Sequence, residues 1–149
     1  MPKPPPPDSP FWKVFGVMTK LNTAAFRATR GKVGGRFGKA DILLLHHVGA
    51  KSGKSRVAPL IYLPDGDDLV LVASKGGSDR HPGWFHNLRA NPDTEVELRG
   101  ERRRVHARVA TDEERERYWP RLVAIYKPYD DYQGYTQRRI PLVVLEPRV

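Results

Sequence analysis

The feature that most limits how this chain can fold is its punctuation: beyond residue 40 the apolar runs are short, and turn residues separate them. Residues 41–48 (DILLLHHV), 57–63 (VAPLIYL) and 69–74 (LVLVAS) have strand length. The last two flank PDGDD, whose Asp-Gly pair favours a hairpin. Residues 95–98 and 103–110 flank Arg99-Gly100-Glu101, a second hairpin, and 140–146 (IPLVVLE) forms a last strand. Two helices interrupt the strands. Residues 84–90 end at Asn91-Pro92, and Thr111-Asp112-Glu113-Glu114 is a capping-box sequence opening a helix with Tyr118, Leu122 and Tyr126 on one face. Pro120 lies inside that helix and is expected to kink or split it. Six strands and two hairpins predict a mainly β fold with α insertions, a six-stranded antiparallel barrel.

The first forty residues differ. Six of the fourteen prolines fall in the first ten residues, which read as an extended tail without the apolar stretch of a signal peptide. Over 11–30, Phe11, Phe15, Met18 and then Asn22 or Phe26 recur at helical spacing, predicting an amphipathic helix. Such a helix can cap the barrel, pair with a partner chain or lie on lipid. The four glycines of 31–39 make a flexible connector, leaving 31–149 as one barrel domain.

Charge and composition narrow the chemistry. The formal net charge of +9 points to anionic partners: nucleic acid, a polyanionic small molecule or an anionic membrane surface. The absence of cysteine removes disulfides and thiolate metal sites, and no His/Asp/Glu spacing resembles a metal centre. His46 and His47 are adjacent on a strand and therefore face opposite sides. The turn at 49–56 ends in Ser-Gly-Lys-Ser but lacks P-loop spacing and precedes a strand, not a helix. No nucleophile-elbow sequence surrounds Ser74 or Ser78.

Three segments carry candidate chemistry. In the first, Lys51, Lys54 and Arg56 supply charge and Ser52 and Ser55 hydroxyls around Gly49 and Gly53, an anion site or simply a solvated basic turn. In the second, a strand runs into Ser74-Lys75-Gly76-Gly77 and then Trp84-Phe85; the glycines allow a planar ligand close to the backbone, or the aromatics merely anchor the core. In the third, Tyr126, Tyr129, Tyr132 and Tyr135 recur every three residues, forming either a wall for a flat substrate or a packing face. The tip Arg99-Gly100-Glu101-Arg102-Arg103-Arg104 can contact nucleic acid or lipid, or be solvated charge.

On VGAKSGKSRVAPLIYL, LVASKGGSDRHPGWFHNLRANPDTEVEL, TDEERERYWPRLVAIY and YDDYQGYTQRRIPLVVLEP, the chain resembles the deazaflavin-dependent nitroreductase family over about 34–147. These actinobacterial proteins use coenzyme F-420 on a split β-barrel like that of flavin reductases and FMN-binding proteins. The resemblance implies that Lys51, Ser52, Lys54 and Arg56 hold the coenzyme's phosphate and nearby tail. It implies that backbone at Pro59, Ala73 and Ser74 edges the tricycle, with Lys75, Trp84 and Asn87 nearby, and that Tyr126, Tyr129 and Tyr132 line the substrate pocket. Ser74 or a pocket tyrosine then stabilises the anion formed by hydride transfer or supplies its proton.

Two positions depart from the nitro-reducing pattern. Ile61 stands where a tyrosine is expected, with Tyr62 on the opposite face, and Ala50 replaces a basic residue. The activity implied is reduction of a planar acceptor of quinone, enone or nitro type by F-420H2, in a cytoplasmic protein whose N-terminal helix can reach the inner face of the membrane. A non-catalytic deazaflavin or flavin carrier and a basic nucleic-acid-binding barrel are the alternatives at this point.

Overall fold

Seven antiparallel strands form one sheet in the computed structural model, which describes residues 36–37 and 40–148. The proline-rich tail and the amphipathic helix lie outside the described residues. The strands are β1 (Arg36–Phe37), β2 (Ala40–Val48), β3 (Ser55–Asp65), β4 (Asp68–Val72), β5 (Asp93–Leu98), β6 (Glu101–Val109) and β7 (Leu142–Pro147). The sheet runs β1-β2-β3-β4-β7-β6-β5, and β5 pairs back onto β2 at Leu44↔Glu97 and Leu45↔Val96. That last pairing closes β2, β3, β4, β7, β6 and β5 into a six-stranded barrel and leaves β1 as a short extension of β2. Closure removes the exposed edges that an open sheet of this size would carry.

Both hairpins are two-residue connections with the backbone their sequences allow. Asp65 pairs with Asp68 across Gly66-Asp67, and Gly66 takes φ +60°. Leu98 pairs with Glu101 across Arg99-Gly100, with φ +51° and +77°. The second turn therefore places an arginine in a left-handed conformation, which costs about 1 kcal/mol and needs the ladder on either side to hold it.

Among the described residues three α-helices accompany the strands: α1 (Gly83–Ala90), α2 (Asp112–Ile125) and α3 (Pro128–Gly134). The strand pleat sorts apolar side chains into two cores. Leu43, Leu45, Tyr62, Leu69, Leu71, Val143 and Leu145 fill the barrel, and Trp84, Phe85 and Leu88 of α1 pack onto them. The alternate residues Leu63, Val70, Val72, Leu142 and Val144 face outward beneath Tyr118 and Leu122 of α2 and Tyr129 of α3. This double coverage explains why residues 69–72 read as unbroken LVLV rather than an alternation: both faces of β4 are buried.

The capping box forms as expected. Glu114 donates its N–H to Thr111 Oγ1 at 3.2 Å, and the Thr111 N–H donates to Glu114 Oε1 at 2.9 Å. Arg108 adds a two-pronged contact to the same carboxylate at 2.6 and 2.8 Å and, as the main cause, holds the Glu114 pKa down at about 2. One expectation is corrected. Pro120 does not split α2, which runs unbroken from Asp112 to Ile125. The carbonyl that proline leaves unbonded belongs to Glu116, and both residues are exposed, so water can take the place of the missing N–H. Tyr126 is the C-cap of α2, beyond its last turn.

Candidate functional site

The loop between β2 and β3 is closed by its own backbone: the Gly49 N–H donates to the Lys54 carbonyl and the Gly53 N–H to the Gly49 carbonyl, both at 2.9 Å. A Cβ on Gly49 would stand 2.3 Å from Ser52 Oγ, so the turn is too tight for any side chain there. Ser52 Oγ accepts the Lys54 N–H at 3.2 Å, which leaves its own proton for another partner. Lys51, Lys54 and Arg56 have no carboxylate partner among the described residues.

Asn87 of α1 fastens this loop to the barrel. Its Oδ1 accepts the Ala50 N–H at 2.9 Å, and its Nδ2 stands 2.9 Å from His47 Nδ1. A backbone N–H can only donate, so the oxygen must face Ala50 and the amide nitrogen must donate to His47. His47 Nδ1 is therefore an unprotonated acceptor. Its surroundings agree, because burial first, then Arg56 and His46, pull its pKa down to about 4. As expected of strand neighbours, His46 turns the other way and meets Glu97 at 3.0 Å.

The glycine loop after β4 adopts three successive positive φ values: +45° at Lys75, +62° at Gly76 and +84° at Gly77. A Cβ on Gly77 would lie 2.7 Å from the Tyr132 carbonyl oxygen. The close approach this glycine permits is thus that of α3, whereas the sequence suggested a ligand. Ala73 is completely buried, with its N–H on the Pro141 carbonyl and its own carbonyl taken by Arg138. Ser74 is 9% exposed, and Trp84 sits in the barrel core.

The tyrosines form one aromatic cluster. Tyr126 and Tyr132 share a hydrogen bond between hydroxyls at 2.7 Å, and the Tyr126 and Tyr129 rings meet edge-on at 4.7 Å. Tyr129 is only 4% exposed and belongs to the core beneath α2 and α3. Burial, and secondarily the bond to Tyr126, raises the Tyr132 pKa above its ordinary value, so this hydroxyl keeps its proton through the physiological range. Ile61 packs toward the same cluster while Tyr62 fills the barrel, so neighbouring β3 residues face opposite sides as the pleat requires.

The glycine loop packs against α3, so two of the three candidate segments meet. The basic loop joins them through α1, which follows the glycine loop in the chain and supplies Asn87. Sequence reasoning missed Arg138, which donates to the carbonyls of Ala73, Ser74 and Ser78. It also missed Arg115 and Gln133, which together hold the backbone of Ile140. An Arg-Arg doublet ahead of β7 was the only visible signal.

The arrangement is thus a closed six-stranded barrel, a basic loop running into β3 whose cations have no acidic partner among the described residues, and a phenol cluster packed against a second, glycine-rich loop. Residues 18–147 match the family described as F-420H(2)-dependent quinone reductase. An F-420H(2)-dependent quinone reductase of Mycobacterium tuberculosis is 42% identical over 137 residues, 88% of this chain and 91% of that protein. A solved F420-H2 dependent reductase is 40% identical with a TM-score of 0.65, covering 70% of this chain and 93% of its own. A structure described as a domain-swapped dimer is 34% identical with a TM-score of 0.67, covering 93% of this chain and all of its own.

The chain belongs to the F-420H(2)-dependent quinone reductase family. It is an oxidoreductase that depends on the deazaflavin coenzyme F-420. The donor set fits that coenzyme: an acidic tail and phosphate call for cations not already neutralised, and Lys51, Lys54 and Arg56 have no acidic partner among the described residues. Among the described residues no helix is long and apolar enough to cross a membrane, and no group of three or more acidic or histidine side chains can hold a metal ion.

Proposed function

We propose that the protein reduces a quinone-type acceptor with F-420H2, binding the coenzyme along the 49–56 loop and the glycine loop and the acceptor against the tyrosine cluster. The observation that carries this reading is the contrast in charge. Lys51 and Lys54 on the backbone-closed loop and Arg56 at the start of β3 have no acidic partner among the described residues, whereas Arg99, Arg102 and Arg103 of the other basic cluster are each paired.

In this reading Lys51, Ser52, Lys54 and Arg56 hold the phosphate and the glutamate tail. Pro59, Ser74 and Lys75 border the tricycle, while Ala73, Trp84 and Asn87 support that wall from behind. When bound, the reduced coenzyme supplies the hydride. The side chains contribute alignment and a proton. A quinone that accepts a hydride needs one further proton to become the hydroquinone, and the Tyr132 hydroxyl, paired with Tyr126 at 2.7 Å, is a neutral donor with a relay partner behind it. Ser74 is the other available hydroxyl.

Nitro compounds are expected to be poor acceptors, because β3 presents Ile61, not a phenol, toward the cluster and Tyr62 is locked in the barrel. Anaerobic mixing with F-420H2 and a menaquinone analogue, following the return of oxidised-coenzyme absorbance, tests the reading. Turnover with the quinone and little with a nitroimidazole is expected. No oxidation across quinones and enones overturns it.

A further inference from the structure

Resting on the coenzyme placement just proposed, we propose that Arg138 is the positioning residue that holds the glycine loop in its binding conformation and couples that loop to the tyrosine helix. A guanidinium has five N–H donors, and here five contacts use them. Nε donates to the Ser78 carbonyl at 2.8 Å, and Nη2 to the carbonyls of Ser74 at 2.8 Å and Ala73 at 3.2 Å. Nη1 donates to the Ala73 carbonyl at 3.2 Å and to His81 Nδ1 at 3.1 Å. No donor remains for a ligand, so this arginine acts through the loop and not by contact.

The acceptors bracket the loop. Ala73 and Ser74 precede Lys75, Gly76 and Gly77, while Ser78 and His81 follow them. The three bracketed residues all have positive φ, which costs most at Lys75, the one with a Cβ. Tying the turn at both ends favours this conformation before a ligand arrives. The Ser74–Gly77 and Lys75–Ser78 backbone hydrogen bonds alone span single turns, whereas the guanidinium joins the two ends.

The same residue is anchored to α3. Gln133 Nε2 donates to the Arg138 carbonyl at 2.7 Å, and Gly77 lies against Tyr132. Displacement of the loop therefore moves against the helix that carries Tyr129 and Tyr132. Lysine cannot replace this fork, because its three donors radiate from one point. The neighbouring Arg139 provides a matched control: it is exposed and its guanidinium meets Asp112 at 2.8 Å.

Two measurements test the proposal. Without coenzyme, hydrogen–deuterium exchange over residues 74–80 should quicken in Arg138→Ala and Arg138→Lys and stay unchanged in Arg139→Ala. Unchanged exchange in Arg138→Ala overturns the proposal, whatever the coenzyme does. In fluorescence titrations with oxidised F-420, Arg138→Ala should raise Kd by about tenfold or more, with recovery on adding millimolar guanidinium. A loss that guanidinium does not restore, with a lowered melting temperature, makes Arg138 a folding residue and overturns the positioning role. Failure of the wild-type protein to bind F-420 overturns the coenzyme reading instead, and the exchange result still decides whether Arg138 holds the loop.

Discussion

The 49–56 loop and the 99–104 hairpin tip carry similar positive charge in similar settings, each a turn between antiparallel strands, yet the fold treats them differently. At the hairpin tip Arg99 meets Asp41 at 3.4 Å, Arg102 meets Glu95 at 2.5 Å and Arg103 meets Glu101 at 3.3 Å. The partners come from the tip itself and from the strands beside it. Along residues 49–56, Lys51, Lys54 and Arg56 find no acid among the described residues, and Asn87, itself bonded to His47, holds the Ala50 backbone with a neutral group. Paired surface arginines offer little net field to a ligand. Unpaired cations on a braced loop offer most of theirs. The comparison teaches that the location of uncancelled charge, and not its density in sequence, marks the site. It also counts against the hairpin as a nucleic-acid surface.

The largest expected effect breaks the comparison directly. Lys51→Ala with Arg56→Ala should weaken F-420 binding by roughly one to two orders of magnitude, while Arg102→Ala with Arg103→Ala should change it by less than about threefold. Fluorescence titration at two ionic strengths reads both, and equal losses from the two pairs would end the distinction. Next in size, Asn87→Ala should raise the coenzyme Kd by about tenfold without removing any charge, because Ala50 and His47 lose the amide that ties them. An unaltered Kd would show that the loop holds itself. A smaller effect is expected from Tyr132→Phe, a several-fold loss in quinone turnover with the coenzyme Kd nearly unchanged. Loss of coenzyme binding in that variant would move the tyrosine to the coenzyme wall.

The smallest effect concerns pH. His47 has a pKa of about 4 in the folded protein against 6.5 for the free side chain. Between these values the unfolded chain binds a proton that the folded chain refuses. The stability tied to neutral His47 is therefore intact above pH 6.5 and is lost as pH falls toward 4. Melting temperatures across that range should decline for the wild type and decline less for His47→Gln. Parallel curves would show that other groups dominate.

Much of this was legible in the residues. Turn chemistry at Asp65–Asp68 and Arg99–Gly100 placed both hairpins, and the Thr111–Glu114 pair placed the start of α2, because these signals act over two to four residues. The evenly spaced tyrosines announced a shared face but not its division of labour. Tyr129 is sealed in the core while Tyr126 and Tyr132 share a hydrogen bond, and a difference in burial leaves no mark on spacing. Pro120 misled because its cost depends on whether the stranded carbonyl reaches water, which is a property of the packed helix.

The short apolar runs and their turns determined the antiparallel strands, and the loop sequences set which residues could carry a coenzyme. Barrel closure, the β5–β2 pairing that completes it and the pairing of each charge were decided only in three dimensions. Arg138 and Arg139 show the reason most clearly. Adjacent and chemically identical, one is spent on the backbone of a distant loop and the other on a surface aspartate. Sequence specifies the donors a side chain carries. Which acceptors surround it depends on segments that are dozens of residues away.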